Sequence, residues 1–343
     1  MKVVRPRRYG GLRSSRYRAR VSLSRLGDLS ETELLDWVLP VYAAALGGAA
    51  QILVGPGDDA AVVRAAAAGV VVTTDTMVRG LDWRDEWSSG LEVGRKAVVQ
   101  NVADVLAMGG RPTGLLVALM ADPQTTVAWV MDLAQGIAEA ASESGCGVLG
   151  GDLSGAPTGM VAVAVTALGD APQVPVLRSG AQPGDVVAVA GSLGWSGAGL
   201  ALLRAGEPER SPQLAAYHRA PILPPVELWA GRAAAHALID ISDGLVRDLR
   251  RIAAASAVSI DLDLDALRRE VQESPIAEAF PLDEGVEHVL GGGEEHSLVG
   301  CFAPSDLPTG WRAIGRVGPS GGEGGVTLDG AALAIRGWDH FGG

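Results

Sequence analysis

The sequence predicts a mixed α/β protein in two domains, and three observations carry that expectation. At 343 residues the chain exceeds the size that one hydrophobic core usually serves. Apolar residues make up 48% of it but aromatics only 4%, and there are 47 glycines, so Ala and Val must fill close-packed layers joined by tight turns. Short β-branched runs alternate with helical patterns along both halves.

Residues 1–25 stand apart. Nine basic side chains precede the first acid, Asp28, so the rest of the chain is more acidic than the net charge of −12 implies. We read the basic segment as a disordered extension that could touch an anionic surface. The acidic body argues against broad nucleic-acid binding, which depends on neutralising phosphates with Lys and Arg. No apolar run is long enough for a membrane-spanning helix and the N-terminus lacks a secretory stretch, so a cytoplasmic protein is expected. Cys146 and Cys301 fit no metal-ligand spacing and read as buried small hydrophobes.

The first domain is expected over residues 26–170. Ser30 with Glu33 three positions later makes a capping box for a helix reaching about Leu46. Gly55-Pro56-Gly57-Asp58-Asp59 is a turn leading into strand residues 60–63, and Val70 to Thr74 is a strand ending in Asp75. Glu92 to Met108 is helical, with Lys96, Gln100 and Asp104 on one face beside Asn101. Leu115 to Met120 predicts a strand, Val127 to Ser144 a helix, Gly147 to Leu149 a strand that breaks at Gly150-Gly151-Asp152, and Val161 to Leu168 another strand.

Residues 171–184, rich in Pro and Gly, predict a linker, and 185–343 the second domain. Val186 to Ala190 is strand-like, Gly191 to Gly199 is a glycine turn entering a helix, and Glu207 to Pro225 reads as an irregular connection. Ala237 to Ile241 runs into Ser242-Asp243-Gly244, Leu245 to Ala255 is helical, and Ile260 to Leu264 is a strand followed by a charged helix. Gly291-Gly292-Gly293-Glu294-Glu295 then precedes a strand over Leu298 to Phe302.

The feature richest in chemistry is a set of aspartates, Asp58, Asp59, Asp75, Asp104, Asp152, Asp240 and Asp243, mostly where an apolar element meets a glycine turn. Strand ends line the ligand crevice in open α/β sheets, and carboxylates converging there repel one another unless a divalent cation lies between them. Oxygen ligands select magnesium or manganese. Taken singly, each aspartate is as readily a turn former or helix cap. The only lysines are Lys2 and Lys96 and no glycine loop ends in Gly-Lys-Ser/Thr, so a P-loop is excluded and bound phosphates would need metals, with Arg178 and Lys96 as possible direct contacts. The five histidines show no metal-ligand spacing, and Ser/His/Asp catalysis lacks a nucleophile-elbow sequence.

Read in order, Gly57-Asp58-Asp59-Ala60, Thr73-Thr74-Asp75, Asn101-Val102-Ala103-Asp104, Gly150-Gly151-Asp152, Arg178-Ser179-Gly180, Pro183-Gly184-Asp185, Ser242-Asp243-Gly244, Gly292-Gly293-Glu294 and the terminal Gly337-Trp338-Asp339 resemble the thiamine-monophosphate kinase family. The resemblance spans about residues 26–343 and implies the two-domain fold of aminoimidazole-ribonucleotide synthetases, usually dimerised through the N-terminal sheets. It implies ATP-dependent phosphorylation of thiamine monophosphate to thiamine diphosphate by direct in-line transfer, helped by several magnesium ions. Carried over by position, it assigns Asp59, Thr73, Thr74, Asp75, Asp104, Asp152, Asp240 and Asp243 to magnesium, with Asp75, Asp152 and Asp243 central to catalysis. Gly151, Asp152, Arg178 and Ser242 would contact ATP, Glu294 and Trp338 the thiamine moiety, and Asp82 would lie at the substrate phosphate.

Three departures stand out. The helix beginning near Ser30 lacks the family's typical Gly-Glu start. Asp82 occupies a position where the family usually shows histidine, and an acid there repels a phosphate unless it is metal-bound or turned away. Glu295-His296 replaces the more usual Asp-Tyr or Asp-His. The alternatives are another ATP-using member of the superfamily, resembling the purine-pathway synthetase, and a nucleotide-binding regulator without catalysis, to which Asp82 points. Selenophosphate synthetase would need a reactive cysteine before Cys146, and the hydrogenase maturation factor would end in a cysteine motif.

Overall fold

The computed structural model describes residues 24–45, 52–54, 61–320, 325–334 and 337. The basic segment up to residue 23, Asp58, Asp59 and Trp338 lie outside the described residues. The chain divides into two compact units, one containing the residues up to Val105 with Gly110–Gln173, the other Leu106–Gly109 with the residues from Val174 onward. Among the described residues no helix is long and apolar enough to cross a membrane.

The first unit is built on a four-stranded sheet. Its opening helix, α1 (Glu31–Ala45), starts at the expected capping box: Ser30 N–H donates to Glu33 Oε2 at 3.0 Å and Glu33 N–H returns to Ser30 Oγ at 3.3 Å. A short hairpin, β1 (Ile52–Val54) with β2 (Val62–Val63), precedes β3 (Val70–Val78), α2 (Gly90–Ala107), β4 (Arg111–Ala121), α3 (Val127–Glu143), β5 (Gly147–Gly155) and β6 (Val161–Asp170). The sheet order is β3-β6-β4-β5, with β4 and β5 parallel and the remaining pairs antiparallel. That parallel pair needs a crossover, which α3 supplies. Helices α2 and α3 meet backbone to backbone, since a Cβ on Gly94 would come within 2.3 Å of the Leu133 carbonyl and one on Gly136 within 2.0 Å of that of Leu91. Arg95 ties the pair at its rim through Glu139 and Glu143.

Two strands run further than the sequence suggests. β3 continues three residues past Asp75, so Asp75 sits within a strand and not at its end, because Thr76-Met77-Val78 keeps the β-branched, alternating pattern. β5 does not break at Gly150-Gly151-Asp152. Its register slips by one residue at Leu149 and pairing with β4 continues to Gly155, with the two backbones so close that a Cβ on Gly151 would lie 1.8 Å from the Val117 carbonyl. The glycines permit the approach instead of ending the strand.

The second unit holds a seven-stranded sheet of order β13-β12-β9-β11-β7-β10-β8. In chain order its elements are β7 (Val186–Ala190), α4 (Trp195–Ala205), α5 (Pro212–Arg219), α6 (Val226–Trp229), β8 (Ala237–Asp240), α7 (Leu245–Ser256), β9 (Ser259–Leu262), α8 (Leu264–Gln272), α9 (Ile276–Ala279), α10 (Leu282–Gly291), β10 (Leu298–Phe302), β11 (Arg312–Gly318), β12 (Val326–Leu328) and β13 (Ala331–Ala332). Strands β7, β8 and β10 are buried on both faces, which is why they read as continuous apolar runs. The stretch expected to be an irregular connection contains α5, whose Ser211 accepts from Leu214 N–H and whose Pro212 occupies the first turn. Cys146 and Cys301 are buried free thiols, and burial pushes both up to about 12.

Candidate active site

In the first unit the predicted residues gather where α2 passes the free edge of β3. Thr73 Oγ1 donates to Asp104 Oδ2 at 2.6 Å, and Asp75 N–H donates to Asn101 Oδ1 at 3.1 Å. Alternation along β3 puts Thr73 and Asp75 on the same face as the buried Met77, while Thr74 points to the other face and donates its hydroxyl to the Val165 carbonyl. The polar face of α2 thus satisfies an edge strand.

Asp152 lies elsewhere. Register pairs Asp75 with Val165, Val165 with Val117, and Val117 with Gly151, so Asp152 falls one residue along, on the opposite face of the sheet. Three strand spacings separate β3 from β5, roughly 14 Å. Asp152 is exposed and accepts from Ser154 Oγ at 2.8 Å. Within the first unit the structure therefore brings Thr73, Asp75 and Asp104 together and keeps Asp152 apart.

Asp82 does not extend away from its turn. Its Oδ2 accepts from Val78 N–H at 2.6 Å, and its carbonyl accepts from Lys96 Nζ at 3.2 Å. Lys96 is 2% exposed, so it is a buried brace of this turn and not a surface charge. Trp83 is also buried and stacks on Trp129 with ring centroids 6.0 Å apart.

In the second unit Asp240 closes β8 and is 4% exposed, with His296 Nδ1 3.4 Å from its Oδ2. The following loop, Ser242-Asp243-Gly244, wraps around a carboxylate that the sequence reading missed. Asp248, one turn into α7 and fully buried, accepts from the backbone N–H groups of Ser242, Asp243 and Gly244 at 3.1, 3.1 and 3.2 Å. Arg251 then donates to both Asp248 and Asp243. Burial, followed by the charge of Asp240, pushes Asp248 up to about 7 despite Arg251. The signal that could have found it is an acid in the first turn of a helix that follows a glycine loop.

The Gly292-Gly293-Glu294 segment lies against this loop. Glu294 N–H donates to the Ser242 carbonyl at 2.7 Å, and a Cβ on Gly293 would come within 2.7 Å of the same oxygen. Gly337 reaches the loop as well: a Cβ there would lie 2.1 Å from the Asp243 carbonyl. Arg178 sits at the other end of α7, where Ser256 Oγ donates to its carbonyl at 3.1 Å. A helix of 12 residues separates it from Ser242, roughly 18 Å. Among the described residues no three acidic, histidine or cysteine side chains are arranged to hold one metal ion.

Residues 57–171 match the N-terminal domain of AIR synthase related proteins, and residues 182–325 match the C-terminal domain. The chain is 44% identical over 299 residues to a thiamine-monophosphate kinase of Mycobacterium tuberculosis, covering 85% of this chain and 87% of that protein. The chain belongs to the thiamine-monophosphate kinase family. A thiamine-monophosphate kinase of Corynebacterium glutamicum is 36% identical over 326 residues, covering 92% of this chain and 95% of its own. Among solved structures, thiamine-monophosphate kinase from Stenotrophomonas maltophilia matches with a TM-score of 0.74 and 30% identity over 89% of this chain and 98% of that one. AaThiL complexed with AMPPCP and TMP matches with a TM-score of 0.70 and 29% identity over 92% and 99%. The hydrogenase maturation protein HypE, at 17% identity and a TM-score of 0.64, shares the fold. Membership of the thiamine-monophosphate kinase family accounts for the mixed α/β architecture in two units.

Proposed function

We propose that this enzyme transfers the γ-phosphoryl group of ATP to the terminal phosphate of thiamine monophosphate, giving thiamine diphosphate and ADP. A bond forms between the γ-phosphorus and an acceptor phosphate oxygen, and the bond from that phosphorus to the β-phosphate bridging oxygen breaks. The acceptor oxygen is already anionic at neutral pH, so no strong general base is needed and positioning with charge neutralisation carries the rate. The observation that carries the reading is the bond from Glu294 N–H to the Ser242 carbonyl, which fixes the Gly-Gly-Glu segment to the acidic loop Ser242-Asp243-Gly244. A relative bound to AMPPCP and TMP supports the choice of substrates.

Magnesium suits the donor set. Every candidate ligand offers oxygen, and the carboxylates of Asp240, Asp243 and Asp248 gather around the Ser242 loop, where a divalent cation would offset their mutual repulsion. We assign Asp75 and Asp104, with Thr73, to holding magnesium in the first unit, and Asp240 and Asp243 in the second, with Asp75 and Asp243 toward the reacting phosphates. Asp152 and Thr74, on the opposite face of the sheet, do not join that set, and Asp59 lies outside the described residues. Bound magnesium supplies neutralisation of charge between the two phosphorylated substrates. We assign Ser242 to ATP and Glu294 with Trp338 to the thiamine moiety; Arg178, at the other end of α7, does not join Ser242, and Gly151 is packed against the Val117 backbone. The Thr73 hydroxyl holds the Asp104 carboxylate, and Asn101 holds the backbone that carries Asp75, before substrate arrives.

Asp82, the residue that pointed to a non-catalytic regulator, has a carboxylate engaged with the Val78 N–H, which gives that alternative no support. We further propose that the protein acts in the cytoplasm and that two copies pair through the open face of the four-stranded sheet. There Val70 and Val72 of β3 and Leu116 of β4 are 46%, 61% and 40% exposed on one face of the sheet, with β6 between the two strands. Incubation with ATP, magnesium and thiamine monophosphate, followed by chromatography, tests the activity. Thiamine diphosphate should accumulate with stoichiometric ADP, and ADP release indifferent to thiamine monophosphate would contradict it.

A further inference from the structure

Glu295 is fully buried, where a carboxylate is seldom found without a purpose. Its Oε1 accepts the Ser196 N–H at 2.6 Å, in the first turn of α4, and its carbonyl accepts the Tyr217 hydroxyl at 3.1 Å. The helix end is a ready anion site, and here the chain fills it with its own side chain. The residues on either side are both left-handed, Glu294 at φ 59° and His296 at φ 54°, a conformation that non-glycine residues hold only when their surroundings enforce it. Main-chain bonds flank Glu295: Glu294 N–H to the Ser242 carbonyl on one side and His296 N–H to the Ile241 carbonyl at 2.9 Å on the other. Between them the fixed point is Glu295. Ser196 Oγ also lies 3.0 Å from His218 Nδ1, and that nitrogen lies 3.6 Å from Glu294 Oε2.

We propose that Glu295 is a positioning residue: by occupying the N-terminus of α4 it holds the left-handed backbone of Glu294 and so aims the Glu294 carboxylate at the substrate. The inference rests on the proposed function in taking Glu294 to meet the thiamine moiety. It predicts a selective defect. The Ser242 carbonyl accepts from Glu294 N–H while the Ser242 N–H is held by Asp248, so the ATP-side loop is expected to keep its shape when Glu295 is changed. Glu295→Gln retains an acceptor for Ser196 N–H, whereas Glu295→Ala and Glu295→Met do not, and Met keeps the volume should the alanine variant fail to fold.

The test is calorimetric titration of each folded variant with thiamine monophosphate and, separately, with a non-hydrolysable ATP analogue and magnesium. The expected result for Ala or Met is thiamine monophosphate affinity weakened at least 10-fold with ATP-analogue affinity within about 2-fold of wild type, and near-complete rescue in Gln. Equal losses for both ligands would reduce Glu295 to a general stabiliser and overturn the proposal, as would unchanged thiamine monophosphate affinity in Ala and Met. A wild-type protein that binds the ATP analogue but no thiamine monophosphate would instead overturn the functional reading and this proposal together.

Discussion

Thr73 of β3 donates its hydroxyl to Asp104 of α2 at 2.6 Å, which locks the acid to the strand that carries Asp75. A hydroxyl-to-carboxylate bond of this kind contributes on the order of 1 to 2 kcal/mol. Thr73→Val should lower stability by about that much and cut turnover, while Thr73→Ser should retain most of both. Denaturant unfolding alongside steady-state kinetics measures the two effects.

Asp75→Asn is expected to abolish turnover, by roughly 100-fold or more, because it removes a charge the phosphates and metal require. The fold should survive, since the contact to Asn101 uses the backbone N–H of residue 75. Circular dichroism confirms the fold and ADP release reads the activity. Near-normal turnover would count heavily against the metal assignment.

Gly151→Ala should destabilise the first unit by about 3 kcal/mol, the upper range for overpacking, because its Cβ would meet the Val117 carbonyl at 1.8 Å and backbone cannot step aside. Thermal unfolding of the variant should show a lowered midpoint.

Glu295 makes stability depend on pH. Burial raises it from an ordinary value of 4.5 to about 8, with the amides of Ser196, Gly197 and Gly194 opposing the shift. The folded chain thus holds this proton more tightly than the unfolded chain. The associated stability is fully present below about pH 4.5 and is lost as pH rises through about 8. Measured across that range, wild-type stability should fall relative to Glu295→Gln by a few kcal/mol. A constant difference between the two would contradict the assignment.

Val72→Glu, on the open face of the sheet, should leave the monomer folded but prevent pairing of two copies, because a charge would then sit in an apolar contact. Sedimentation velocity of variant and wild type reads the outcome.

Much of the fold was legible because each element carried its own signal. The Ser30 and Glu33 capping box appears as expected, and Val186–Ala190 is a buried strand over the residues its apolar run marks. The misreadings came from glycine and proline taken as local punctuation. At Gly151 glycine serves the approach of two strands, and at Pro212 proline opens a helix that Ser211 caps. Asp104 and Asn101 were visible as a polar helix face because helical spacing alone aligns them. Asp248 and Glu295 were not, since their roles depend on which loop and which helix end fold over them. For Asp248 the local signal was an acid in the first turn of a helix after a glycine loop, but whether it is buried is decided by the tertiary fold.

The most direct test of the central claim, that acidic side chains serve divalent ions which hold two phosphorylated molecules, is calorimetric titration of a non-hydrolysable ATP analogue with and without magnesium. The account predicts that affinity collapses when magnesium is removed and that Asp75→Asn and Asp243→Asn each weaken only the magnesium-dependent part. An affinity for the nucleotide that is the same with and without magnesium would contradict it.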